Sequence, residues 1–201
     1  MSNEPLKSED SGSRWPENGD RLFIESTWAY DARIVREPGE RFYRMPMGYK
    51  RAGDILIAQA AADVVDRRNI IYASLFCYRQ SMELFLKRLI EEFGKGKVYS
   101  PKDTHELRIL WERCMCIFNE RGSAESFGMD AVQKLVAEMD EADKKSDGFR
   151  FPTGRDGSPF TFGDRGIDLD NVREVMEGLE NFFECAYLAF SAHDDAHSEC
   201  G

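Results

Sequence analysis

The sequence predicts an all-α protein, an antiparallel bundle of four to five helices with a short β-hairpin or a long loop before the last helix. Three observations lead there. Apolar residues recur at i, i+3 and i+4 through several long stretches, most fully over residues 67–93. The breaks between these stretches are mostly short, and short links favour antiparallel neighbours. One region, residues 146–168, carries interleaved aromatic residues and two prolines and interrupts the helical pattern.

The stretch 67–93 organises the rest. With Ile71 as the zero of a helical wheel, Leu75, Tyr78, Met82, Phe85, Leu86, Leu89 and Phe93 fall on one face. Tyr72, Phe76 and Ile90 widen that face, and Cys77 and Leu84 sit towards the back. A helix this apolar around its circumference has neighbours on several sides. Arg79 and Glu83 lie beside the stripe one turn apart, and Lys87 follows a turn later.

In chain order, residues 1–20 are polar and read as a disordered tail. Residues 21–46 read as an irregular arm or hairpin, because Trp28, Tyr30, Ala32 and Ile34 alternate and Glu37-Pro38-Gly39-Glu40 has turn composition. The helical domain is expected over 47–192. Its first helix starts after Pro46 and covers 48–65, with a lean face of Ile55, Leu56, Ala58, Gln59, Ala62 and Val65 that lets the central helix approach closely. Gly94 and Gly96 end the central helix.

The next helix opens at Asp103-Thr104-His105-Glu106, which reads as a capping box with Asp103 in the cap. Leu107, Leu110, Trp111, Cys114 and Phe118 form its inner face. Another helix spans 129–142, with Val132, Leu135, Val136 and Met139 inward and a charged, solvated end over 138–145. The interruption at 146–168 reads as a hairpin or a long folded loop around an Asp-Gly turn. The last helix, 168–192, carries a seam from Val172 to Phe190, and 193–201 reads as a polar tail.

Composition narrows the function classes. The 201 residues suit one domain or a domain plus a tail. Hydrophobic residues make up 42% and charged residues 32%, enough for a real core. A net charge of -10 argues against a general nucleic-acid coat protein but leaves room for a local basic patch. No window holds eighteen apolar residues, so no membrane span is expected, and the acidic start does not read as a signal peptide. Five cysteines, an odd number at helical positions, do not read as a disulfide framework. A reducing cytoplasm is the expected compartment.

Three pieces then occur in a telling order: YRQSMELFLKRLI over 78–90, Thr104-His105-Glu106-Leu107 followed by Leu110-Trp111, and Phe149-Arg150-Phe151-Pro152. Over residues 48–190 the chain resembles the HEPN superfamily, the higher eukaryote and prokaryote nucleotide-binding domains. Members often read Q-x-x-E-x-x-L-K on the second helix, T/H-x-L opening the third, and R-Y-P before the last. Gln80, Glu83, Leu86 and Lys87 match the first pattern and His105 and Leu107 the second. Arg150 and Pro152 match the third, with Phe151 in place of Tyr.

The resemblance implies an all-helical bundle, frequent homodimerisation, and one of two activities. Many members are metal-independent ribonucleases of toxin–antitoxin and defence systems, and others bind nucleotides, RNA or protein partners without catalysis. The ribonucleases carry Arg, four to six residues, then His. Here the residues five to seven positions before His105 are Ser100, Tyr99 and Val98, and no Arg precedes His193 or His197 at that spacing either. The resemblance therefore points to a non-catalytic module, with a nucleotidyltransferase or an antitoxin as a fitting partner, and to no cofactor and no metal.

Each candidate residue has a chemical and a plain structural reading. Arg79 with Glu83 is a phosphate-directed guanidinium held by a carboxylate, or an i,i+4 ion pair on a partly buried face, or Arg79 bonds the backbone of the 146–168 hairpin. His105 is a proton-transfer group or phosphate ligand at a helix start, or a histidine that locks that helix in place. Arg150, Arg155 and Arg165, interleaved with Phe149, Phe151, Phe160 and Phe162, suit RNA, or a loop whose rings pack inward while its arginines meet acids. Lys87 joins Arg79 and these arginines as a candidate RNA or nucleotide contact. For catalysis the candidates are Arg79, Glu83, His105 and Arg150, with 2′-OH attack giving a cyclic phosphate. His193 and His197 share a helical face but lack a third fixed ligand. A third class of function is a helical adaptor that binds protein through its apolar seams and the 21–45 arm.

Overall fold

The computed structural model describes residues 16, 18–24, 33–94, 104–122, 128–154, 156–160, 162–164 and 166–198. The chain divides into two units, Met1–Ile34 and Val35–Gly201. In the first, Leu22, Phe23, Ile24 and Ile34 are exposed. Trp28, Tyr30 and Ala32, on which the expected alternation rests, lie outside the described residues.

The second unit is helical. Its elements are α1 Pro38–Ala62, α2 Val64–Asn69, α3 Ile71–Phe93, α4 Leu107–Glu120, α5 Met129–Ala142 and α6 Leu169–Ser198. There is no strand among the described residues.

The first helix begins at Pro38, within the stretch expected to form an arm. Glu37 is its cap: the carboxylate accepts from the Gly39 and Glu40 N–H groups, and Pro38 fills the first position, where a missing donor is harmless. So Glu37-Pro38-Gly39-Glu40 starts a helix rather than making a turn. The helix then runs through Pro46, which removes one intrahelical donor. Burial of Pro46 against α3, where Ser81 Oγ donates to the Pro46 carbonyl at 2.8 Å, holds the helix together there.

The buried face of α1 is Pro46, Lys50, Gly53, Ile57 and Ala60, not the expected one, whose Ile55, Ala58, Gln59, Ala62 and Val65 are exposed. A Cβ on Gly53 would sit 2.6 Å from Tyr78 Cε1, so only glycine fits opposite that ring. Asp63 stops α1 with extended backbone and caps α2 through the Val65 and Asp66 N–H groups. The expected helix over 67–93 is therefore split at Ile70. The break is shallow, because Ile70 N–H reaches Asp66 O and Ser74 N–H reaches Ile70 O.

α3 is the centre. Every residue from Ser81 to Ile90 is buried. α1, α4 and α6 pack around it, and α5 packs on α4. Aromatic rings fill the seams: Phe85 stacks on Phe183 at 5.4 Å, and Phe118 meets Phe190 edge-on at 4.8 Å. α6 starts where the sequence places it, with Asp168 accepting from the Asp170 and Asn171 N–H groups. It continues to Ser198, past the expected tail boundary, because Arg121 at the end of α4 grips Asp194 through both carboxylate oxygens at 3.0 and 2.8 Å.

The described residues between Asp143 and Asp168 contain no strand and follow the long-loop alternative rather than a hairpin. Asp143 Oδ1 accepts from the Asp147 and Gly148 N–H groups and turns the chain. Ser146 and Asp164 adopt positive φ, and Phe149 and Phe162 pack edge to face at 5.7 Å. Cys77, Cys114, Cys116 and Cys185 are free thiols. Among the described residues no helix is long and apolar enough to cross a membrane.

Candidate functional site

Helical spacing puts Arg79, Glu83 and Lys87 in one row of α3, and packing buries that row. A buried charge needs partners in fixed geometry. Arg79 is fully buried and spends each nitrogen on a different segment. Nε donates to Asp143 O at 2.8 Å, Nη1 to Glu83 Oε2 at 2.7 Å, and Nη2 to His105 O at 2.5 Å. Asp143 Oδ2 lies 3.6 Å from Nε. One guanidinium thereby ties α3 to the entry of α4 and the exit of α5.

Glu83 balances that cation and a second one. Its Oε1 accepts from Lys87 Nζ at 2.7 Å and faces His105 Nδ1 at 2.8 Å. Burial alone pushes the Glu83 carboxyl up, but Lys87 first, then Arg79 and His105, outweigh it and hold it below the ordinary carboxylate value. An ionised carboxylate only accepts, so His105 Nδ1 carries the hydrogen of this contact. The ring is 63% exposed. His105 is thus an open imidazole whose backbone is held by Arg79 and whose ring is held by Glu83.

The expected capping box falls partly outside the described residues, and α4 itself starts at Leu107. Glu106 is the cap residue and makes no side-chain capping bond, and Asp103 lies outside the described residues. The cap comes instead from α5: Asp140 Oδ1 accepts from Leu107 N–H at 2.7 Å and lies 3.4 Å from Arg108 N. Within the charged run at the end of α5, Glu138, Glu141, Lys144 and Lys145 are exposed as its charge suggests, but Asp140 and Asp143 are each 3% exposed. The signal was present in the spacing: Asp140 and Asp143 continue the buried stripe of Val132 and Val136 at i+4 and i+3.

Arg150 belongs to a different surface. Its Nε donates to the Ser146 carbonyl, and its guanidinium lies 5.7 Å from the Phe76 ring and 5.4 Å from the Phe151 ring. Arg150 is exposed and lines a cleft with Lys145, Asp147, Phe151, Pro152 and Thr153. Neither Arg79 nor His105 lines that cleft. Arg155 and Arg165 lie outside the described residues.

Two further cations had drawn no attention in the sequence. Arg88 is buried, pairs with Glu184 at 2.6 Å and lies 3.8 Å from the Tyr187 ring centre. Lys50 bridges Asp54 and Glu180, at 3.0 Å each. Both sit between helices and complete the packing of α6. His193 and His197 meet edge to face at 4.3 Å on α6, and the described residues contain no group of three side chains arranged to hold a metal.

The geometry thus separates a buried structural network, one open imidazole fixed to it, and an exposed cation–ring surface. Comparison with family models, with curated proteins and with solved structures finds no match to this chain.

Proposed function

We propose that this chain is a HEPN-like helical recognition module that binds RNA or a nucleotide without cleaving it, in a toxin–antitoxin or defence-type system. The observation that carries the reading is the state of Arg79. A guanidinium with zero exposure and every nitrogen committed to protein acceptors is not offered to a phosphate. The absence of the Arg-x(4–6)-His spacing supports the same side.

Recognition falls to the Lys145–Arg150–Phe151 surface. Phe151 is 55% exposed beside the Arg150 guanidinium, and an exposed ring with adjacent cations suits a base and its phosphate. In this reading the module works in the cytoplasm as a homodimer, with a nucleotidyltransferase or antitoxin as partner. The test is filter binding of end-labelled tRNA and of single nucleotides across a salt series. Arg150→Ala is expected to weaken binding at least tenfold and to lower the salt slope by about one. Unchanged binding in Arg150→Ala would contradict the assignment.

The pairing of Glu83 with His105 favours one second reading, a metal-independent ribonuclease with a non-standard site. There His105 would take the 2′-OH proton, the 2′-oxygen would bond to phosphorus to give a cyclic phosphate, and the P–O5′ bond would break, with the leaving 5′-oxygen taking a proton from water. Arg150 would have to approach the same phosphate.

A further inference from the structure

α5 packs on α4, whereas α6 packs on α1 and α3, so α5 and α6 share little direct packing. The space between them is a cavity of about 350 Å³. Its apolar lining includes Leu75 and Met82 of α3, Met139 of α5, Met176 and Leu179 of α6, and Phe162 of the loop. That volume is at the lower end of small-molecule sites and many times the ~30 Å³ share of one water. Three methionine side chains give walls that are polarisable and adapt to a flat ring.

Among the described residues the polar lining is sparse, and its charges are of one sign. It consists of Glu138, Asp168 and Asn171. Glu138 is exposed and has no ion pair among the described residues. Asp168 uses Oδ1 to cap α6, which leaves Oδ2 for another donor. Among the described residues no cation lines this cavity. A neighbouring cleft shares Leu75, Phe149, Phe162 and Ile167 and carries Arg67 and Arg68. Arg67 there already donates to the Ala60 and Ala61 carbonyls.

We infer that this cavity binds a small apolar ammonium compound, with its ring or chain among Leu75, Met82, Met139, Met176 and Leu179 and its ammonium group against Glu138 and Asp168. The apolar walls exclude a free polar ion, and the two carboxylates at the rim select the sign of the head group. Nothing in this assignment depends on whether the Arg150 surface binds RNA.

The experiment is calorimetric titration of the full chain at neutral pH with three near-isosteric probes: tryptamine, tryptophol and indole-3-propionate. Saturable one-to-one binding of tryptamine is expected, at least tenfold tighter than either of the others. Glu138→Gln should weaken tryptamine about tenfold, the size of one lost charge-assisted bond, and leave tryptophol unchanged. Met139→Trp, with its helical circular dichroism retained, should abolish tryptamine binding by filling the cavity. Absence of saturable tryptamine binding to the folded wild type would overturn the assignment. So would equal affinity for all three probes, or unchanged tryptamine binding in Met139→Trp. A preference for indole-3-propionate would place the head group beside Arg68 and overturn the cationic choice.

Discussion

Glu83 Oε1 lies 2.8 Å from His105 Nδ1, with Glu83 1% exposed and the imidazole 63% exposed. A buried carboxylate therefore fixes the ring of an open histidine, while the guanidinium bound to that carboxylate fixes the same histidine's carbonyl. The two ends of the arrangement should respond very differently to mutation.

Arg79→Lys should be severely destabilising, by roughly 3–5 kcal/mol, because a single ammonium cannot replace a planar fork bonded to three segments. His105→Ala should cost less than about 1 kcal/mol, since its ring is largely in water. Urea unfolding followed by circular dichroism measures both. Equal effects would mean that Arg79 is not the tie between α3, α4 and α5.

The charge on Glu83 makes stability depend on pH. Its folded carboxyl lies below the ordinary value, so the unfolded chain binds its proton first as pH falls. The contribution is fully present above about pH 5 and is lost as pH drops through the folded value. The stability curves of wild type and Glu83→Gln should therefore converge as the solution is acidified from pH ~5 to ~3. Curves that stay parallel would contradict the role given to this carboxylate.

Asp140 caps α4 from another helix. Asp140→Ala should cost about 0.5–2 kcal/mol, the range for a lost cap, and Asp140→Asn should recover part of it by keeping an acceptor. Hydrogen exchange at Leu107 gives the local readout, and faster exchange is expected in Asp140→Ala alone.

Gly53→Ala should destabilise by about 1–3 kcal/mol, because the added carbon would overlap the Tyr78 ring and force α1 away from α3. The thermal midpoint reports this directly. An unchanged midpoint would mean that the ring moves aside freely.

Much of this architecture was readable from spacing. The wheel drawn from Ile71 places its stripe residues in the core, and α5 spans the stretch that its i+3/i+4 pattern marks out. What escaped has a physical reason in each case. Pro46 looked like a helix boundary, because a proline normally breaks the ladder it sits in; burial against Ser81 keeps it inside α1. Residues 67–69 fit the central wheel but belong to α2, because Asp63 makes a better cap than the pattern makes a continuous helix.

The site was half legible for a similar reason. Arg79, Glu83, Lys87 and His105 stood out from local spacing. Their partner Asp143 lies 64 positions beyond Arg79, at the end of a charged run that looked solvated, and only the fold brings it close. Nothing local showed that Arg150 would occupy a separate surface.

Recognition without cleavage leaves RNA intact, and the integrity of bound RNA can be measured. Purified wild type would be incubated with end-labelled tRNA and bulk RNA in EDTA, beside His105→Ala and Arg150→Ala, with binding measured in the same samples. The account predicts intact RNA with all three proteins and binding that weakens in Arg150→Ala. Cleavage by the wild type that disappears in folded His105→Ala would contradict it and establish a ribonuclease built on the Glu83–His105 pair.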